Sequence, residues 1–474
     1  MKETINKLVL QISSMRCPMV FRFIPFIVLL FSCQEFVDID PPRTDLIGET
    51  VFSSDNTAIA AINGIYSEMI AFNAGLASGG TRSVTYFAGL SADELTYFGS
   101  DPEALDFYIN SLEPANNSNT IGLWGQAYKI IFNANSVLEG LKNSTQVSEE
   151  LSLQLEGEAK FLRAFCHFYL VNLYGDVPVA TTTVYQENTK ASKMSVNQVY
   201  EQIIIDLKDA RALLGEDYPS VEKVRPNKAV ATAMLSRAYL FTEDWSNAEF
   251  EASQLLDGTY SLSTDLTNVF LANSDEAIWQ LRPAGSFQNT NEGLAFILTT
   301  PPQSSVGGVA LSSRLLDAFE VGDQRRVNWI NSFTNESDTW YYPFKYKVRS
   351  QEEVTEYSMV LRLAEQYLIR AEARAQMDNI SGAIADLNVI RNRAGLPDII
   401  SGDKVSVLRD IEQERQVELF TEWGHRWLDL KRTGRADAIM GAAKAKWQAE
   451  DILYPLPQSE LEVNPNLLPQ NPGY

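Results

Sequence analysis

The stretch RDIEQERQVELFTEWGHRWLDLKR, Arg409 to Arg432, decides the fold. Leu408, Ile411, Leu419 and Trp423 recur at helical spacing, so one face is built for burial. Glu412, Glu414, Arg415, Glu418, Glu422 and Arg426 load the same segment with charge. Arg415 with Glu418, and Glu422 with Arg426, are three and four apart and are expected to pair along one side. Gly424 is expected to end the helix, as a glycine past the last turn does. Trp427, Leu428 and Leu430 then add apolar bulk between Asp429, Lys431 and Arg432. Carboxylates buried beside guanidinium groups must pair, so Glu414, Arg415, Glu418, Glu422, Arg426 and Asp429 read as a structural ion-pair cluster.

Working outward, the spacing of apolar residues predicts helices over Thr50–Asn73, Trp124–Leu141, Leu151–Tyr174 and Ser195–Leu214, the last capped by Ser195. Pro226 is expected to open another helix, running to Phe241, with Trp245–Leu256 returning antiparallel. Met359–Gln376 and Ile380–Arg393 make the same kind of pair. Ala238 and Ala248 lie ten apart, and Ala373 and Ala383 repeat that spacing, the close-approach pattern of tetratricopeptide hairpins. Arg-Ala recurs at 163–164, 237–238 and 374–375. Short strand-like runs occur at Glu276–Leu281 and Trp340–Val348, with a Pro/Gly/Ser-rich loop at 299–308. The fold class is therefore mostly α: tetratricopeptide-like helix pairs forming a scaffold, with long loop-rich insertions and a few short strands. The scaffold covers about 51–73, 121–257 and 359–440 of one body, 51–474, and the insertions about 74–120 and 258–357.

A hydrophobic content of 45% and a charged content of 21% describe a globular chain with a large core. The net charge of −22 argues against nucleic acid and against a polybasic grip on lipid, both of which need clustered Lys and Arg. The three cysteines, Cys17, Cys33 and Cys166, are too few for a disulfide framework. His167 and His425 are the only histidines, and neither HExxH nor CxxC occurs. No metal site and no cofactor is called for.

Lys2, Lys7, Arg16 and Arg22 precede a short apolar run, Phe23 to Phe31, ending in Ser32-Cys33. This reads as an export signal over 1–32, the run being far shorter than the ~20 residues of a membrane span. Leu30-Phe31-Ser32-Cys33 looks like a lipobox, making Cys33 the lipidated first residue and 33–50 a tether. Several acyl chains on that cysteine make a durable anchor where one does not.

Three functional readings compete. A glycan- or nutrient-binding platform needs exposed aromatics beside polar groups, because sugars present apolar C–H faces rimmed by hydroxyls. The insertions supply Arg82, Tyr86, Asp93, Tyr97 and Phe98, then Trp329, Trp340 and Tyr341, with Arg325 near. A bland reading stands beside it: in a strand Trp340, Tyr342, Phe344 and Tyr346 share one core-like face, leaving Tyr341 on the other. A glycoside hydrolase using Glu414 and Glu418 is the second reading, opposed by the arginines that would hold both carboxylates charged. A periplasmic helical-repeat adaptor that binds another protein is the third.

The run ERQVELFTEWGHRWLDLKRTG, 414–434, resembles the C-terminal signature of the SusD/RagB-like nutrient-binding outer-membrane lipoproteins. CQEFVDIDPP at 33–42, LSADELTYF at 90–98, LRLAEQYLIRAEARAQ at 361–376 and LYPLPQSELEVNPNLLPQNPGY at 453–474 agree with it, in family order. The resemblance implies a mostly helical body with tetratricopeptide-like pairs, anchored through Cys33 on the outer membrane and facing the cell exterior. It also implies a SusC-like TonB-dependent transporter as partner, over which the lipoprotein sits as a lid that delivers oligosaccharide or another nutrient without catalysis.

Overall fold

The computed structural model describes residues 51–72, 74–256, 258–285 and 289–474. The expected leader over 1–32, the expected tether over 33–50 and Cys33 lie outside the described residues. Helices α1 (Asp55–Ile70), α2 (Val84–Ser91), α3 (Gln126–Asn143), α4 (Glu149–Tyr174), α5 (Val196–Leu213), α6 (Lys228–Phe241), α7 (Trp245–Leu255), α8 (Leu363–Gln376), α9 (Ile380–Arg393), α10 (Lys404–Glu418) and α11 (His425–Arg432) carry the scaffold. From α3 to α9 each helix packs on the next, α7 meets α8 across the long insertion, and α10 packs on both α8 and α9.

The two expected hairpins share one turn chemistry. Glu243 and Asp378 take left-handed backbone (φ +57° and +63°), and the next residues, Asp244 and Asn379, cap the returning helix through Asn247 and Gly382 amides. Ala238, Ala248, Ala373 and Ala383 are all wholly buried at the crossings, which lets the paired backbones approach. The recurring Arg-Ala has a physical meaning. The alanines 164, 238 and 375 are buried, and each arginine reaches a carboxylate on a neighbouring helix. Arg163 grips Asp206 at 2.8 and 2.7 Å, Arg237 grips Glu365 at 2.7 and 2.6 Å, and Arg374 meets Asp386 at 2.8 Å.

Six short strands form three antiparallel pairs among the described residues: β1 (Leu95–Tyr97) with β3 (Val309–Leu311), β2 (Ala277–Leu281) with β6 (Ser358–Arg362), and β4 (Ile330–Thr334) with β5 (Thr339–Pro343). The helix expected from Met359 instead begins at Leu363. All five residues of β6 are buried, and a segment apolar on both faces suits a central strand as well as a helix. The strand expected over Trp340–Val348 stops at Pro343. Pro226 does not open α6: Asn227 caps it, its side chain accepting from the Val230 amide at 3.2 Å.

Helix α10 ends at Glu418, six residues before Gly424, which instead stands at the start of α11 with φ +72°. Thr421 and Trp423 are also left-handed (φ +51° and +48°), so the chain makes a tight turn from 419 to 424. A Cβ on Gly424 would come within 2.7 Å of the Ala88 Cβ on α2, so glycine is required there for space as well as conformation.

Candidate functional site

The last residue of α10, Glu418, and Glu422 in the turn after it enter a buried ionic network. The Glu418 Oε1 accepts from Arg362 Nη1 at 2.5 Å and from Arg393, and its Oε2 accepts from Arg325 Nη1 at 2.9 Å. Glu422 accepts from Arg362 Nε at 2.8 Å and from Lys345 Nζ at 2.5 Å, while Glu276 joins Arg362 and Arg393 at 2.9 and 2.7 Å. Glu414 accepts from Arg325 at 2.6 Å, and Arg325 also grips Asp323. Burial pushes the Glu418 carboxyl up, but Arg393, Arg362 and Arg325 together hold it well below the ordinary carboxylate range. Burial pulls the Lys345 ammonium down to about 8.

The six residues expected to cluster are all buried in ion pairs, but neither of the two expected pairs forms. Arg415 pairs with Asp429 at 2.8 Å, not with Glu418, and Arg426 pairs with Asp93 at 2.8 and 2.9 Å, not with Glu422. Arg415 and Glu418 both lie within α10, yet Arg415 turns to Asp429 on α11 while Glu418 is taken by arginines from elsewhere. The break at 419–424 turns Glu422 and Arg426 onto different neighbours.

This network also accounts for several of the aromatic and polar residues singled out from sequence. Trp329 is wholly buried: its Nε1 donates to the Leu266 carbonyl at 2.9 Å, and Lys345, Arg393 and Arg362 lie 4.9, 5.7 and 5.9 Å from its ring. It seals the network by cation–π contact and presents no face to a ligand. Asp93 is buried against Arg426, and Arg325 is buried among carboxylates. Tyr86 is buried with its hydroxyl donated to the Gly307 carbonyl.

The remaining candidates stay at the surface. Tyr341 is 40% exposed, Trp340, Tyr97 and Phe98 are half-buried, and Arg82 is exposed. Strand β5 runs beside β3, which is paired to β1 with Tyr97 opposite Val309. The Tyr97–Phe98 edge and the Trp340–Tyr341 edge are thereby brought to neighbouring strand pairs. Arg82 lies near Glu103. Burial raises that carboxyl, but hydrogen bonds from Ser118 and Asn117 and the Arg82 charge hold it below its ordinary value. Phe333 was missed by sequence reading: across the hairpin from Trp340, its ring stacks on the indole with centroids 6.3 Å apart. The polar run Asn335-Glu336-Ser337-Asp338 is the turn signal that would have revealed it.

Among the described residues no group of three His, Cys, Asp or Glu side chains could hold a metal ion, and no helix is long and apolar enough to cross a membrane.

Two family models match the chain. One, described as starch-binding and associating with the outer membrane, matches residues 93–240, and the other, described as the SusD family, matches residues 328–474. SusD-like protein P2 of Formosa agariphila is 28% identical across 95% of this chain and 99% of its own. A SusD superfamily protein from Bacteroides vulgatus shares the fold, with a TM-score of 0.80 at 20% identity over 90% of this chain and all of its own. A laminarin-binding SusD-like protein superposes with a TM-score of 0.75 at 24% identity, over 89% of this chain and 100% of that one. With the helical scaffold, the ion-paired turn after α10 and matches at both ends of the body, the chain belongs to the SusD/RagB family.

Proposed function

We propose that the protein is a cell-surface lipoprotein that binds glycan without cleaving it and delivers it to a SusC-like TonB-dependent outer-membrane transporter. In this reading residues 1–32 are removed, acyl chains on Cys33 hold the protein in the outer membrane facing outward, and 33–50 form the tether. The observation that carries it is the placement of β5 beside β3, which gathers Trp340, Tyr341, Tyr97 and Phe98 on adjoining strand pairs at the surface. Half-exposed rings of this kind offer faces to the C–H side of a sugar. The laminarin-binding relative and the starch-binding family description support a glycan as the cargo.

The hydrolase reading fares poorly on geometry. Glu414 and Glu418 are both buried and both bound to Arg325, so no substrate reaches them. Glu418, held ionised, is the opposite of a general acid.

Electrophoresis through gels containing laminarin tests the platform. Trp340→Ala with Tyr341→Ala is expected to weaken retardation at least tenfold while the circular dichroism spectrum stays unchanged. Unaltered retardation moves the site off the hairpin. Product analysis in the same samples is expected to show intact polysaccharide.

A further inference from the structure

The register of the β4–β5 hairpin divides its rings between two faces. Trp340 stands opposite Phe333 and Tyr342 opposite Asn331, whereas Tyr341 stands opposite Ser332 and Thr339 opposite Thr334. Directly opposed residues of an antiparallel pair share a face, and successive residues alternate. Phe333, Trp340, Asn331 and Tyr342 thus lie on one side, and Tyr341 lies on the other with the Ser and Thr hydroxyls. Two contacts agree with this division. The Phe333 and Trp340 rings stand 6.3 Å apart and 27° from parallel, and the Thr334 and Thr339 hydroxyls are 3.0 Å apart. Trp340 and Tyr341, neighbours in sequence, cannot both lie under the same face of one sugar chain.

The side with two rings has the character of a ligand surface, not of core. Phe333 and Trp340 are half-buried, yet among the described residues neither packs on the hydrophobic core of the body. The Trp340 Nε1 donates to no group among the described residues and is not enclosed. The Trp329 Nε1, by contrast, is held by the Leu266 carbonyl at 2.9 Å. Asn331 is exposed on the same side: its Oδ1 accepts from the Ser332 amide at 2.8 Å, which leaves its NH2 group for another partner. Tyr342 is buried and closes the strip at the base of the hairpin. The opposite side carries one ring, and its hydroxyls at 334 and 339 bond each other.

We propose that the sugar chain lies along the Phe333–Trp340 side of the hairpin, with Phe333 a ligand-contacting residue that selects for chain length. Two adjoining rings offer apolar area to successive C–H faces of a chain, where Trp340 alone serves one. The Trp340 Nε1 and the Asn331 amide at the rim donate to sugar hydroxyls, and Tyr341 lies outside this site. The ligand is then a chain of several units bound along its length, in preference to a short fragment. This face rests on the glycan reading above, but Phe333 can fail its test while that reading stands.

Calorimetric titration of the purified full chain with laminaritriose and laminarihexaose tests it. The parent is expected to bind the hexaose more tightly than the triose. Phe333→Ala is expected to lose about fivefold for the hexaose, roughly the worth of one aromatic contact, and to leave the triose nearly unchanged. Phe333→Tyr, which keeps the ring, is expected to restore the preference for the longer chain. Tyr341→Ala alone is expected to leave both affinities unchanged, and Trp340→Ala to weaken both. A Phe333 that only props up Trp340 would weaken both sugars equally on removal, and that result would overturn the proposal. So would an unchanged hexaose affinity in Phe333→Ala, a loss in Tyr341→Ala as large as in Trp340→Ala, or no binding of either sugar by the parent. A loss confined to Tyr341→Ala would leave the hairpin reading standing with the chain on its other face. Unchanged affinities in Trp340→Ala with Tyr341→Ala would remove the hairpin reading and this face with it.

Discussion

Glu418→Gln is the most direct test of what holds the long insertion to the helices. Both carboxylate oxygens are engaged, by Arg362 at 2.5 Å, by Arg325 at 2.9 Å and by Arg393. A glutamine there keeps one acceptor and turns an amide donor toward a guanidinium, and it leaves buried positive charge uncompensated. Removing one partner of a buried ion pair costs about 3–5 kcal/mol. For a body of about 420 residues the unfolding entropy is roughly 0.9 kcal/mol/K, so ~4 kcal/mol lowers the unfolding temperature by about 4–5 °C. The acid dependence carries a second signature. The folded-state pKa of Glu418 is depressed, so its contribution is present above the unfolded pKa of ~4.3 and is lost as pH falls below it. The gap between parent and variant, followed by scanning calorimetry, should therefore shrink between pH 6 and pH 3. A variant within 1 °C of the parent at pH 7, or a gap that does not change with pH, would refute the argument.

Glu94 predicts the opposite pH trend. Burial and the neighbouring Asp93 raise its carboxyl to about 8, so the folded state keeps the proton and stability falls as pH rises from ~4.3 to 8. Glu94→Gln, which retains the acceptor for the Thr421 amide at 3.2 Å, should match the parent at pH 4.5 and unfold several degrees higher at pH 8.5. Gly424→Ala should destabilise by about 1–3 kcal/mol in urea titration, because the added Cβ meets Ala88 at 2.7 Å on a left-handed backbone. A neutral result would mean that α2 can shift away.

The helix pairs were legible because each depends on local pattern. Apolar spacing, the ten-residue alanine step and the recurring Arg-Ala all act within or between consecutive helices, and Ala238, Ala373 and Arg237 stand where that pattern requires. Other features depend on residues far apart in the chain. Met359 to Arg362 read as helix because the pairing that makes them a strand comes from β2, some eighty residues earlier. Trp329 and Trp340 look alike in sequence, yet one is enclosed by cations brought from Lys345, Arg362 and Arg393 while the other stands on a hairpin arm. Asp93 could not be separated from a ligand residue until Arg426, more than three hundred residues later, came to it.

The same network fixes the base of the hairpin that carries Trp340 and Tyr341. The β4–β5 hairpin spans 330–343, and a cation stands just beyond each end: Arg325 before it and Lys345 after it. Both are fixed on carboxylates at the end of α10 and just after it, Arg325 on Glu418 and Lys345 on Glu422. Trp329, one residue before β4, is wholly buried against Lys345, Arg362 and Arg393 and excludes water from them, which strengthens their pairs. The base of the hairpin is thus fixed by charge, whereas Trp340 and Tyr341 lie toward its far end, where burial falls away. Substitutions at the tip are expected to leave the fold undisturbed, and substitutions at Glu418, Glu422 or Trp329 are expected to disturb it.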